Sequence, residues 1–243
     1  MPRPYEIMGI LETRLCTKEK CSLIHILSCC RVALHQRRYA WRHDSVLLTF
    51  EQALKNHIKN QNAEETKRKT IKTQRFVKEG GTPKEKKLDE SVNIMDGAND
   101  WKLLIDFDDK RIVFPPTICP TNLRPDIIIW SDKTKTIIWA ELTCPAEENI
   151  KDAQRRKTTR YKDLAEVVRG NSWTLHDFTI EVGVRGCMAK SVGYFLRKIG
   201  IPRRTCKELL QQVSNVVTRC SFAIYLASTN AEWPKYALIN STP

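Results

Sequence analysis

Residues 124–145 read RPDIIIWSDKTKTIIWAELTCP. Two runs rich in isoleucine and tryptophan flank the polar segment SDKTK, and β-branched and aromatic residues around turn formers predict an antiparallel strand pair. Each strand also carries one carboxylate, Asp126 at the opening of the first and Glu141 toward the end of the second. Folding the pair back on itself brings both to one edge of the sheet. Buried carboxylates side by side cost several kcal/mol unless a cation offsets them. A divalent ion would do so. Hard oxygen ligands suit magnesium or manganese, and the backbone carbonyl of Leu142 is placed to add a third ligand.

Outward from the pair, AEENIKDAQRRKTTRYKDLAEVVRG predicts one long helix closed by Gly170 as its C-terminal cap. Its apolar stripe runs Ile150, Ala153, Tyr161, Leu164 and Val168, and Lys157 fills the gap in that spacing. A lysine there points toward the sheet, where a long stem can carry its ammonium to a polar spot. Upstream, WKLLIDF, the turn DDK and RIVF predict a second hairpin, bounded by Pro115 and Pro116. Downstream, FTIEVGVRG alternates Phe178, Ile180, Val182 and Val184 as a half-buried strand does. Helices are expected around residues 191–199 and 204–226. The order ββ, ββ, α, β, α describes a mixed sheet with helices on its faces.

The N-terminal part differs in kind. Four of the nine cysteines fall within residues 16–30. Cys16, Cys21, His25 and Cys30 have spacings within reach of a tetrahedral zinc site, with Cys29 competing with Cys30; buried free thiols are the alternative. In DSVLLTFEQALKNHI, Leu47, Phe50, Leu54 and Ile58 recur at helical spacing, and Asp44 or Ser45 is expected to cap the N-terminus. Glu51 near that stripe is a further candidate carboxylate for the metal site. Arg42 and His43, in RYAWRHD, are candidates for phosphate contacts or for plain structure. Residues 59–98 are charged, poor in aliphatics and broken by Gly-Gly and Pro, and read as a basic linker. Lys67, Arg68, Lys69 and Lys72 in it either follow a phosphate backbone or belong to a solvated tether.

Lys plus Arg outnumber Asp plus Glu by 41 to 28, a formal charge of +13, and 41% of the 243 residues are hydrophobic. The chain has the means to bury a core, and its field attracts polyanions, DNA or RNA above all. The N-terminal apolar patch is interrupted by Glu6 and Glu12, so no signal peptide is expected, and no apolar run approaches the length of a membrane span. A nuclear or cytoplasmic site of action follows, with the nucleus favoured for a DNA-binding chain.

RPD, fourteen intervening residues, ELT and then RRKTTRYKDL together resemble the PD-(D/E)XK nuclease superfamily. More narrowly they resemble the restriction-like endonuclease domain of non-LTR retrotransposons, in which the lysine has moved from the strand to the next helix. That migration accounts for Thr143 in the usual lysine slot. The similarity extends through IEVGVRGCMAKSVGYFLRKIGI and back to CSLIHILSCCRVALHQRRYAWRHD, similar to the Cys/His knuckle and Tyr-x-x-Arg-His motif that precede such nucleases. The family knuckle usually opens with CxxC, and Thr13 stands where the first Cys is expected. The resemblance implies a restriction-endonuclease-like mixed β-sheet flanked by helices, with a small N-terminal Cys/His-rich helical segment.

It also implies metal-dependent hydrolysis of a DNA phosphodiester. Asp126 and Glu141 would hold magnesium or manganese, and Lys157 would orient the attacking water or stabilise developing charge. The expected organisation is a knuckle segment at 1–58, the linker at 59–98, a nuclease core at 99–204 and a helical tail at 205–243. FDD at 107–109 lacks a residue of the polymerase signature, so a nicking endonuclease without its reverse transcriptase is one reading. A decayed or repurposed nucleic-acid-binding remnant of such an element is the other.

Overall fold

The computed structural model describes residues 16, 22–63, 93–107, 113–230 and 233. It is a mixed α/β fold. Four strands form one sheet in the order β1 (Lys102–Ile105), β2 (Ile127–Ser131), β3 (Thr136–Thr143) and β4 (Thr174–Glu181). β2 runs antiparallel to both β1 and β3, and β4 lies parallel to β3. Ile127 pairs with Ala140 and Ser131 with Thr136, so the strand pair at residues 124–145 is as expected.

Alternation along the central strands divides the core in two. Ile127, Ile129, Ile138, Ala140, Leu142, Ile180 and Val182 point to one face, which α2 (Arg38–Ala63), α5 (Lys190–Lys198) and α6 (Arg203–Leu226) cover. Ile128, Ile137 and Trp139 point to the other, where Tyr161, Leu164, Ala165 and Val168 meet them. A sheet buried on both faces needs continuous rather than alternating apolar strands, which is why IIIW and TIIWA contain no polar break.

Several elements depart from the expected ones. β1 pairs with β2, and Val113 and Phe114 form no strand. Pro115 and Pro116 remove two backbone donors just beyond them. Val113 stays exposed, and Phe114 enters the second core against Trp139, ring centroids 6.4 Å apart. The long helix after β3 is two helices, α3 (Ile150–Arg160) and α4 (Lys162–Gly170), broken at Tyr161 with φ −103° and ψ 8°. The hydroxyls of Thr158 and Thr159 donate to the carbonyls of Gln154 and Arg155, each at 3.1 Å, and such back-bonding bends helices. Gly170 is the last helical residue and not the left-handed stop. Ser172 takes that role at φ 62°, and the Trp173 N–H closes the turn on the Val168 carbonyl at 3.4 Å.

α2 begins at Arg38, so Asp44 and Ser45 are interior rather than capping, and the Ser45 hydroxyl donates to the Trp41 carbonyl at 2.7 Å. The strand expected to run on to Val184 ends at Glu181, with Val182 bridging to Met188 instead.

Leu47, Phe50 and Leu54 of α2, Met95 and Ala98 from the end of the linker, and Leu209, Val213 and Val217 of α6 all belong to the same core as the sheet. α2 and α6, the long helices on either side of the expected nuclease core in sequence, therefore share an interior with the sheet. Residues 64–92, including Lys67, Arg68, Lys69 and Lys72, lie outside the described residues.

Candidate active site

β2 begins one residue after Asp126, and the antiparallel register brings Glu141 of β3 beside it. The Asp126 N–H donates to Glu141 Oε1 at 3.2 Å, and the Leu142 N–H donates to Asp126 Oδ2 at 2.7 Å. Residues in a ladder direct N–H and C=O to the same side, so the Leu142 carbonyl shares the edge that its N–H marks. From the second face, α3 lays Lys157 across the pair. Its ammonium bonds Glu141 Oε2 and lies 3.8 Å from Asp126 Oδ2. Sequence reasoning named these three residues, and the fold brings them together.

A fourth group comes from α2. His43 Nε2 lies 3.5 Å from Asp126 Oδ2, and its Nδ1 lies 3.0 Å from Asp44. His43 thus faces a carboxylate of the cluster. Its neighbour Arg42 is 2% exposed and is held by Ser221 Oγ at 3.2 Å and the Cys144 carbonyl at 3.3 Å, an internal tie between α2, α6 and the end of β3. Tyr39, the start of the same motif, accepts from the Cys30 N–H and donates to the Ile26 carbonyl, fixing the N-terminal turn. Glu51 pairs with Lys55 at 2.8 Å, one turn along α2.

The charges of the cluster do not balance evenly. Burial pushes the Glu141 carboxyl up and the neighbouring Asp126 adds to it, raising it to about 7 against the pull of Lys157 and Tyr161. For Asp126, burial also acts upward, yet His43, Lys157 and the Leu142 N–H outweigh it and hold the group below its ordinary value. Burial lowers His43, but its bonds to Asp126 and Asp44 dominate and raise it to about 9. Tyr161, buried beside Glu141, is pushed well above the usual phenol range; its hydroxyl donates to the Arg124 carbonyl at 3.1 Å.

The carboxylate partner of His43 and the whole of Glu181 escaped sequence reasoning. His43 was weighed as a phosphate contact or as plain structure, and a helix entry carries no signal of which strand it will cross. Glu181 was not named. It is 1% exposed and accepts from the Ser191 hydroxyl, while its Oε1 has no hydrogen-bond partner among the described residues. It pairs in register with Thr143, two residues beyond Glu141 on the same face. The signal was available: the alternation that buries Phe178, Ile180 and Val182 on one face must turn Thr179 and Glu181 to the other.

The Cys/His cluster forms a separate centre. Ligand atoms of Cys16, His25 and Cys30 all lie within 4.8 Å of one another, so the three can hold a metal ion. Cys30 is buried whereas Cys29 is exposed, which decides between them. His25 Nε2 is buried without a hydrogen-bond partner among the described residues, as suits a ligand nitrogen. Cys21 and Thr13 lie outside the described residues. No protein-family model matches this chain, and no curated protein matches it.

Proposed function

We propose that this protein is a magnesium- or manganese-dependent endonuclease that nicks DNA, derived from the nuclease part of a non-LTR retrotransposon and acting in the nucleus. The observation that carries the reading is the convergence of Asp126, Glu141 and Lys157 from three elements onto one sheet edge. The donor set fits a hard divalent cation. The bonds to Asp126 use Oδ2 and leave Oδ1 to a ligand, and Glu141, raised chiefly by burial, would gain from a cation beside it. Asp126, Glu141 and the Leu142 carbonyl would hold the ion. When bound, it would supply a Lewis acid for the scissile phosphate and lower the pKa of a coordinated water.

The chain's own groups do the rest. Lys157, freed from Glu141, orients the attacking water and offsets charge building on the phosphate oxygens. The water oxygen bonds to phosphorus as one P–O bond to sugar breaks, and the departing oxygen takes up a proton. His43, anchored by Asp44, holds Asp126 in its rotamer. Zinc at Cys16, His25 and Cys30 would be structural, tying the N-terminal turn to the fold.

The repurposed-remnant reading has one observation in its favour: Lys157 and His43 already neutralise the carboxylates as a self-sufficient ion network. Supercoiled plasmid separates the two. The nuclease converts it to nicked circles with magnesium or manganese and not with EDTA. A protein that retards plasmid but never nicks it with either metal is the remnant.

A further inference from the structure

A cavity of about 390 Å³ opens beside Glu141, between α3 and α4 on one side and β4 and α5 on the other. Its size falls in the roughly 300–1,000 Å³ range of small-ligand sites, room for one base and its sugar but not for a duplex. Glu141 and Lys157 line one wall. Across from them stands Tyr194 of α5, 49% exposed, backed by Phe178 at a centroid distance of 5.9 Å and a tilt of 52°. An aromatic ring left half open beside polar groups is a stacking platform.

The polar lining has a defined sense. The Ser191 hydroxyl spends its proton on Glu181, so only its lone pairs remain to face the cavity as acceptors. Lys162 and Arg169 also line the space, and the Lys198 ammonium lies 5.7 Å from the Tyr194 ring centroid. A planar group with N–H donors on its edge, joined to an anion, matches these walls together. We propose that the cavity receives one unpaired nucleotide of the nucleic-acid substrate, its base against Tyr194 and its phosphate toward Lys157. The inference rests on the nuclease reading of the adjoining carboxylates and adds a substrate class: the bond cut is next to an extrahelical base.

The test uses the full chain with no magnesium or manganese added, so that binding is read without cleavage. Duplexes carry 2-aminopurine either paired or as a single unpaired base, and both affinity and fluorescence are followed. The wild type should bind the bulged duplex about fivefold or more tightly than the paired one and quench the unpaired base. Tyr194→Ala should remove both the quench and the difference between the duplexes, while Tyr194→Phe, which keeps the ring, should retain them. Equal affinity and quench for the two duplexes, a quench that survives Tyr194→Ala, or no DNA binding at all overturns the proposal. So does 2-aminopurine deoxyribonucleoside monophosphate binding as tightly as the bulged strand, which makes the cavity a free-nucleotide site. Adding magnesium afterwards separates the two readings. Stacking without nicking removes the nuclease and leaves the cavity, whereas nicking indifferent to the unpaired base does the reverse.

Discussion

Lys157 spans both carboxylates, bonding Glu141 and lying 3.8 Å from Asp126, and it was legible in the sequence because it interrupts an apolar helical stripe. Asp126 and Glu141 were legible for the same reason, as charges in strands that are otherwise apolar. Residues that break a local rule are visible; those that obey one are not. His43 sits in an ordinary helix and Glu181 on the polar side of an alternating strand, so their partners emerged only with the fold. If the cluster is catalytic, Asp126→Asn and Glu141→Gln should each lower metal-dependent nicking by at least about 10²-fold, with DNA retention unchanged. Melting in EDTA at pH 8 should not fall for Glu141→Gln, since it removes a charge that burial and Asp126 both disfavour and keeps an acceptor for the Asp126 N–H. Lys157→Met preserves the stem's packing and removes only the ammonium. Full nicking by that variant would show that the lysine is a spacer.

β2 and β3 were readable as continuous apolar runs around a polar turn, and α5 and α6 from their helical period, whereas the misread elements turn on local features. Val113 and Phe114 form no strand beside two prolines, and the long helix was bent by two threonine hydroxyls. The end of α4 was misread in the same way. Its left-handed position falls on Ser172, at φ 62°, two residues past the glycine that sequence favours. A Cβ there is strained by about 1 kcal/mol, so Ser172→Gly should raise stability by about that amount in urea unfolding. The β2–β3 turn supplies a pH test. Asp100 accepts from Ser131 Oγ at 2.5 Å and from the Lys133 N–H at 2.9 Å. Burial acts upward on its carboxyl, but these bonds win and hold it below 3.8. A depressed folded value means stability present above the unfolded pKa and lost as pH falls through the folded one. Asp100→Asn should therefore be less stable than wild type at pH 7, and the gap should close below about pH 3.8.

At the scale of the molecule, composition indicated a basic chain with a core but not that α2 and α6 share it with the sheet, because charge and glycine content report on surface and not on which helices share an interior. The positive field has two candidate sources, the linker and the exposed side of α3 and α4, where Arg155 and Arg156 are exposed and Lys162 stands at the rim of the cavity. Each phosphate neutralised contributes about −0.9 to the log-log salt slope of duplex affinity. Substituting Arg155, Arg156 and Lys162 with glutamine should flatten that slope more than substituting Lys67, Arg68, Lys69 and Lys72, because the helix face lies beside Lys157. The opposite ranking would assign the contacts to the linker. The Cys/His centre bears on the whole molecule too. Ile26 and Leu27 of its turn pack on Val184 and Ile224 in a small core apart from the main one. Three ligands joined by a fourth would make a closed tetrahedral site whose binding energy is also folding energy. Purified protein should carry about one zinc per chain. Chelation should release it and speed proteolysis within residues 16–43 while the sheet and α6 resist, since their core does not include the turn. Cys30→Ser should behave like the chelated protein, and Cys29→Ser, an exposed thiol outside the cluster, should keep its zinc. Metal-free protein with every thiol titratable would leave Cys16, His25 and Cys30 as neighbours without a ligand.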